Sequence, residues 1–309
     1  MHFKVIYTGI DHPNHINALD KFALGMQANG DTVECHEALN REPDGYVIFG
    51  SWKNRDQPHH NAKRAVVASG KPFVVIETPI FGRKPVNVFV QDDCFRVGLN
   101  GFLNNRGAFV KDKPRIWNDE TAEAWDPSRK DMMCERLGVE LSRDQNTQGP
   151  IILALQLPGD ASLEGQDISE WFERWVHTLK GETEKFVRFP QLPREYDKSV
   201  LQKAVDSGWR LQQGSHENLV STLKKCRLSI SYSSGFGVDS IIAGTPAITD
   251  SDASFAWEIS HKAKDGMQNP YFPSFDQRQN WLSRLAYHQW FVEEMESGAC
   301  WAHLKSLMN

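Results

Sequence analysis

The chain has 309 residues, 40% of them hydrophobic and 24% charged, with a formal net charge of −5. This is enough for two domains of ordinary size; it excludes wholesale disorder and gives no global case for nucleic-acid binding. No apolar run reaches membrane-spanning length and no signal-like segment follows Met1, so a soluble, cytoplasmic protein is expected. Five scattered cysteines, never in a C-x-x-C pair, point to reduced thiols and away from a disulfide framework or a cysteine zinc site.

In chain order, Phe3–Tyr7 is an apolar strand, followed by the polar loop Asp11-His12-Pro13-Asn14-His15. Ile16, Leu19, Phe22, Ala23 and Met26 fall at helical spacing. Tyr46–Phe49 is a strand, residues 61–68 a helix and Phe73–Glu77 a strand, the alternation of a parallel Rossmann-like layer. Residues 117–148 are polar and rich in helix formers, and read as a helix plus linker. The second half restarts with the strand Ile151–Leu155, a Pro-Gly-Asp loop and a helix bearing Trp171, Phe172 and Trp175. Further strands are expected at Phe186–Phe189, near Trp209–Leu211, at Leu228–Ser231 and at Ala247–Ile248, with helices between them. The last forty residues read as helical and aromatic, able to cross back onto the first half. The expected division is therefore residues 1–148, 149–275 and 276–309.

The stretch Leu228–Thr249, LSISYSSGFGVDSIIAGTPAIT, is the most informative. It reads as a buried strand, a Ser-Ser-Gly turn, a short helix stopped by Gly244 and Pro246, and another strand. Such a turn presents backbone N–H groups and the positive end of a helix dipole, a seat for phosphate or diphosphate. Asp239, about one helical turn on, is placed to meet ribose hydroxyls. Any α/β crossover with a glycine C-cap carries part of the same signature.

That block, Ser233-Ser234-Gly235 with Asp239 and Gly244-Thr245-Pro246, resembles the donor-site element of GT-B glycosyltransferases. Five further segments look like a family of short GT-B-like proteins related to capsular polysaccharide enzymes and common among bacteriophage proteins. They are Phe73–Glu77 through Arg83, Gly98-Leu99-Asn100-Gly101-Phe102, Gln156–Ser162, Arg188-Phe189-Pro190 and Ala286–Trp290. The resemblance implies two Rossmann-like domains facing across a cleft, with C-terminal helices packing back on the first. It also implies a nucleotide-diphosphate sugar as co-substrate, UDP-linked by expectation, and no required metal or other cofactor. Related sequences usually have Arg-Pro-His-Pro where this chain has Arg188-Phe189-Pro190, so a family histidine is missing.

Within that frame, Gln156, Gly159, Asp160 and Ser162 join Ser233, Ser234, Gly235 and Asp239 as donor-binding candidates, on loops at strand carboxyl ends. Arg188 reads either as a charge-assisted diphosphate contact or as a surface salt bridge. His216 reads as a helix-start residue that touches the nucleotide, or as merely exposed. Glu77 ends a buried strand, where a carboxylate is either paired, with Arg83, or used as a base. Asp11 and His12 occupy the loop after the first strand, where inverting GT-B enzymes often place their base. His59 and His60 diverge on their helix, and Asp250-Ser251-Asp252 is the only Asp-x-Asp.

From Tyr46 to Arg115 there are twelve basic and five acidic residues, so this segment carries +7. Trp52, Lys53, Arg55, Arg83, Asn100 and Phe102 are its acceptor-binding candidates, with Gly98–Phe102 as a wedge for base flipping. Some phage enzymes of this broad fold glycosylate hydroxymethylated pyrimidines in DNA, so double-stranded DNA containing such a base is the expected acceptor. A solvated basic face or an anionic-glycan site accounts for the same charge. The alternatives are a capsular or cell-wall polysaccharide glycosyltransferase and a non-catalytic nucleotide- or glycan-binding protein.

Overall fold

A computed structural model describes residues 1–35, 42–53, 56–83, 93–111, 126–189, 198–214, 218–265, 267 and 270–308. The chain divides into two compact units. Unit 1 comprises Met1–Ile80, Val86–Arg115 and Arg284–Asn309; unit 2 comprises Phe81–Pro85 and Ile116–Ser283. Against divisions expected after 148 and 275, the units therefore change over at 115–116 and 283–284, with a short excursion at 81–85.

Unit 1 carries β1 (His2–Ile6), α1 (Pro13–Ala28), β2 (Thr32–Glu34), β3 (Gly45–Phe49), α2 (Pro58–Ala68), β4 (Phe73–Glu77), β5 (Cys94–Leu99) and α3 (Ala108–Lys111). Unit 2 carries α4 (Pro127–Leu137), β6 (Ile151–Ala154), α5 (Ile168–Thr178), β7 (Lys185–Phe189), α6 (Lys198–Asp206) and β8 (Arg210–Gln213). It continues with α7 (Leu219–Leu223), β9 (Leu228–Ser231), α8 (Phe236–Ala243) and β10 (Ala247–Thr249). Helix α9 (Phe275–Ala286) returns the chain to unit 1, which ends with β11 (Gln289–Phe291), α10 (Val292–Glu296) and α11 (Ala299–Ser306).

The unit 1 sheet runs β11-β5-β4-β3-β1-β2. Its β1–β4 part is parallel as expected, but β5 pairs antiparallel with β4, and β11 antiparallel with β5. A strand that returns antiparallel needs no crossover helix, so no helical pattern announced β5. The proposed wedge is corrected here: Leu99 is the last residue of β5, and Leu99 and Phe102 are both buried. Asn100 sits in the left-handed region (φ 59) and locks β5 to the start of β4. Its N–H donates to the Phe73 carbonyl (2.7 Å) and its Oδ1 accepts from the Phe73 N–H (2.9 Å). The tail around Trp290 is likewise a strand, where a helix was expected.

Phe3, Val5, Val47, Val74 and Ile76 face Leu19, Phe22 and Met26 of α1 and Trp301 of α11 in one core. Trp301 meets Phe3 edge-on at 5.1 Å and donates its indole N–H to Asp31 (2.6 Å), which Lys305 also reaches (2.9 Å). Burial works against this carboxylate. Hydrogen bonds from the amino terminus, Lys305 and Trp301 outweigh it and hold Asp31 below the usual carboxylate range.

The unit 2 sheet, β10-β9-β6-β7-β8, is parallel throughout. Ile151, Leu153, Val187, Leu228 and Ile230 pack on Trp171, Phe172 and Trp175, the aromatic face expected of α5. Asp167 caps α5 by accepting from the Ser169 N–H (2.7 Å). Asp250 accepts from the indole N–H groups of Trp171 (2.7 Å) and Trp175 (3.0 Å), so this member of the Asp-x-Asp triplet serves the core.

Strand order also locates the ligand-binding edges. In unit 2 the chain moves outward from β6 to β7 and β8, then returns to lay β9 and β10 on the other side. In unit 1 it goes from β1 to β2, then returns to place β3 and β4 across β1. The loops after β6 and β9, and those after β1 and β3, therefore diverge at the points where α/β sheets bind ligands.

Gly25 of α1 is the tightest fit in unit 1. A methyl group there would run into the carbonyl of Met295 and lie 2.9 Å from the Cα of Gly298. Gly25→Ala is expected to destabilise the protein by about 1–3 kcal/mol, because backbone cannot yield as a flexible side chain does. Urea unfolding of wild type and variant checks it.

Candidate functional site

At the unit 2 switch point, Gln156 is buried and fully used. Its Nε2 donates to the Oγ atoms of Ser162 (2.9 Å) and Ser233 (3.1 Å), and its Oε1 accepts from the Ser233 N–H (2.8 Å). Ser233 Oγ donates to the Ser162 carbonyl (2.6 Å), and Asp160 accepts from both the N–H (2.9 Å) and the Oγ (2.7 Å) of Ser162. Gln156, Asp160, Ser162 and Ser233, read from sequence as ligand donors, are thus one another's partners. They brace the β6 loop against the β9 loop. Gly159 supplies the positive-φ turn (φ 70) between them.

What the brace presents is the next step of the chain. The Phe236 N–H is capped by Ser234 Oγ (3.2 Å) and the Gly237 N–H by the Ser234 carbonyl (3.1 Å). The Ser234 and Gly235 N–H groups donate to no described residue. They stand at the positive end of α8, which Gly244 closes in the left-handed region (φ 88).

Two guanidinium groups gather here. Arg83 lies against Gly235, where an added methyl would run into it. Arg188, at the end of β7, is buried beside Gly214, with its Nε and Cζ 3.4 Å from the position of a methyl there. Asp239 is half-buried and feels both charges: burial pushes its carboxyl up to about 6, against the downward pull of Arg83 and then Arg188. Burial lowers the Arg188 pKa, and Asp239 partly restores it. Arg83 was read as an acceptor residue or a partner for Glu77; it lies at Gly235, and Glu77 accepts from backbone N–H groups instead. The segment that carries it belongs to unit 2. His216 and Arg55 lie outside the described residues.

At the unit 1 switch point, Glu77 is engaged by backbone. Its Oε2 accepts from the Ser51 N–H (2.7 Å) and its Oε1 from the Thr78 N–H (2.8 Å). Lys63, buried on α2, donates to the Ser51 carbonyl (3.2 Å). The Ser51 backbone is therefore held at both its N–H and its carbonyl. Gly50, at φ 76, allows this: a methyl there would stand 3.3 Å from Lys63 Nζ. Burial lowers the Lys63 pKa, and Glu77 opposes that.

His12 is the N-cap residue of α1, ahead of Pro13, and makes no side-chain cap bond. Its Nδ1 is buried and hydrogen-bonds no described residue. One turn on, His15 stacks on Phe49 (4.0 Å, 20°) and lies 4.6 Å from the His12 ring. Burial, then the charge of His12, pushes His15 down to about 4, while Glu77 and Asp11 pull the other way. Asp11 is exposed. His15 and Lys63 were missed in the sequence. His15 sits one turn past His12, a spacing that signals a shared face, whereas Lys63 reads there as an ordinary surface cation.

Among the described residues, the remaining acceptor candidates do not gather into an open basic face. Trp52 is half-buried, edge-on to Phe102 (5.2 Å) and Phe73 (6.3 Å). Arg96 is buried and lies over the Phe102 ring (5.7 Å). The Lys53 N–H donates to His60 Nδ1 (3.2 Å), its carbonyl accepts from Arg64, and Lys71 pairs with Glu42 (2.6 Å). Among the described residues no group of three or more His, Cys, Asp or Glu is arranged to hold a metal ion, and no helix is long and apolar enough to cross a membrane.

No protein-family profile matches the chain, and no curated protein sequence is significantly similar. Among solved structures it is similar to KpsC of Thermosulfurimonas dismutans, described as a beta Kdo 2,4 transferase. The TM-score is 0.59 at 14% identity, over 94% of this chain and 92% of that one. A second structure from the same organism, KpsC beta Kdo 2,7 transferase, aligns over 99% of each chain at 11% identity with a TM-score of 0.49. The fold is GT-B. At these identities the likeness speaks for the fold, and the chemistry has to come from this GT-B chain's own residues.

The histidines give a pH prediction. His15 and His60 are each lowered to about 4, mainly by burial and next by the neighbouring histidine. Between pH 6.5 and 4 the unfolded chain takes up protons that the folded chain refuses, so stability falls as pH falls through this window. His15→Phe, which keeps the ring on Phe49, is expected to flatten that slope in thermal melts at stepped pH.

Proposed function

We propose that this chain is a glycosyltransferase that moves a sugar from a nucleotide-diphosphate sugar to a hydroxyl acceptor. The observation that carries this reading is the arrangement at the start of α8 in unit 2. Two backbone N–H groups at the start of α8, the helix dipole and the guanidinium groups of Arg83 and Arg188 converge at a topological switch point of a GT-B fold. In the reaction the C1–O bond to the diphosphate breaks, and the N–H donors and arginines take up the charge left on the leaving oxygen. The acceptor oxygen bonds to C1 and gives its proton to a base.

For that base we propose His12, with Asp11 beside it in the loop after β1. Both oxygens of Glu77 accept backbone hydrogen bonds, which suits it to holding the Ser51 loop. The acceptor favoured by these residues is a saccharide hydroxyl. A hydroxymethyl-pyrimidine in DNA needs a wedge and an open basic track. Yet Leu99 and Phe102 are buried in unit 1, as are Lys63 and Arg96, while Arg64 and Lys71 are engaged by Lys53 and Glu42. Half-buried Trp52 offers a ring on which a sugar can lie.

The test is a transfer assay with a panel of nucleotide-sugars, UDP-linked donors first. Oligosaccharide acceptors are set against DNA containing 5-hydroxymethylcytosine, and products are read by mass spectrometry. A saccharide heavier by one sugar residue is expected, with rates lowered about 100-fold or more in His12→Ala. A glycosylated nucleoside would reverse the acceptor assignment. Donor binding without any transfer would leave a nucleotide-binding protein.

A further inference from the structure

Lys63 is a buried cation with little to hold it. The residue is 7% exposed, and among the described residues its ammonium makes no ion pair and a single hydrogen bond, the 3.2 Å bond to the Ser51 carbonyl. An ammonium carries three N–H donors, and burying one is costly unless acceptors take them up. Glu77 is the complementary case. Each of its oxygens accepts one backbone N–H, from Ser51 and from Thr78, and a carboxylate has lone pairs for more. The two side chains do not pair with each other, but both border one point above Gly50. A methyl on Gly50 would lie 3.3 Å from Lys63 Nζ and 4.0 Å from Glu77 Oε2, with nothing else within 4 Å apart from the chain neighbours of Gly50. The floor of this gap is fixed: the Gly50 N–H donates to the Ile76 carbonyl (2.7 Å) and the Ser51 N–H to Glu77. Gly50, Ser51 and Trp52 each keep part of their surface in solvent.

A group that stands between an ammonium and a carboxylate has to accept on one side and donate on the other. A phosphate or a carboxylate only accepts, and would face Glu77 as a like charge. An alkyl group does neither. A hydroxyl does both with one oxygen. We propose that Lys63 and Glu77, across Gly50, form a specificity site for one hydroxyl of the acceptor sugar, which accepts from Lys63 Nζ and donates to Glu77 Oε2. The proposal rests on the saccharide-acceptor reading and deepens it, giving the sugar a polar grip on the same loop whose Trp52 offers a ring face. It also gives Gly50 a reason beyond its positive φ, since any side chain there would enter the gap.

The experiment titrates the full chain, by ligand-observed NMR, with methyl glycosides of glucose, galactose, mannose and N-acetylglucosamine and with their single deoxy and deoxyfluoro derivatives. In wild type, one position is expected at which removing the hydroxyl weakens binding about 10–100-fold, as for hydrogen bonds to charged groups. Fluorine at that position should not restore binding, because it cannot donate to Glu77. In Lys63→Met and in Glu77→Gln the parent glycoside should weaken to a similar degree, and the same deoxygenation should then cost about 2-fold or less, with the other positions unaffected. Gly50→Ala, which keeps both charged groups and fills the gap, should act in the same way. The deoxy and deoxyfluoro series on wild type stands by itself where a variant does not fold. Variants that weaken every derivative by one common factor would make Lys63 and Glu77 mere supports of Ser51 and overturn the proposal. A fluorinated sugar that binds like its parent would overturn it too. So would methyl glucuronide binding more tightly than methyl glucoside in wild type but not in Lys63→Met, which would make the gap a carboxylate site. A glycoside that binds without any such position sinks this proposal alone. If wild type binds none of the glycosides, the saccharide-acceptor reading falls and this proposal with it.

Discussion

Everything proposed for unit 2 depends on one buried amide. Gln156 spans from the end of β6 to the start of the β9 loop, and each of its polar atoms has a partner there. A buried primary amide left half-satisfied would cost more than an apolar side chain of the same size, so the bridge holds only in one arrangement. That arrangement aims Ser234 and Gly235 outward and starts α8 where it does. The residues that hold one another decide where the N–H groups at the start of α8 stand.

Unit 1 uses the same device with different chemistry. The Ser51 backbone is gripped by a carboxylate at its N–H and by an ammonium at its carbonyl, which fixes the loop after β3 to β4 and α2. In both units a switch point is stiffened first and functional groups are hung beside it. The electrostatics then diverge. Unit 2 gathers arginines and a helix N-terminus, suited to anions. Unit 1 gathers the His12 and His15 rings at the start of α1, His15 held neutral by burial.

The parallel strands and the helices between them were legible because apolar runs of four or five residues, broken by Gly, Pro and polar turns, have few other readings. The Ser-Ser-Gly turn and the Gly244 stop were legible for the same reason. Strands β5 and β11 were not, since antiparallel additions leave no crossover pattern. Asn100 and Phe102 looked like a loop tip because Gly98 and Gly101 flank them. Both glycines instead admit close neighbours, Phe109 at Gly98 and Arg106 at Gly101. Ligand-like polar residues also misled in a consistent way. Gln156, Ser162, Glu77 and Asp250 carry the residue types of a binding site, but each is consumed by a backbone, indole or neighbouring polar side-chain partner. Sequence reports that a polar group sits near a strand end, and only coordinates show who already holds it. Arg83 is the sharpest case. It follows the end of β4 by six residues, but its guanidinium stands at Gly235, more than 150 positions away.

The discontinuity of unit 1 bears on how the protein is made. Its sheet is completed by β11, and α1 is covered by α10 and α11, all of which come after the whole of unit 2. On the ribosome, residues 1–115 emerge with the outer face of β5 unpaired and with Phe3, Phe22 and Met26 lacking the Trp301 that covers them. Unit 2, contiguous apart from residues 81–85, can condense as it is synthesised. The first unit to begin is thus the last to close, and for that interval the exposed edge of β5 is an open template for pairing with another nascent chain.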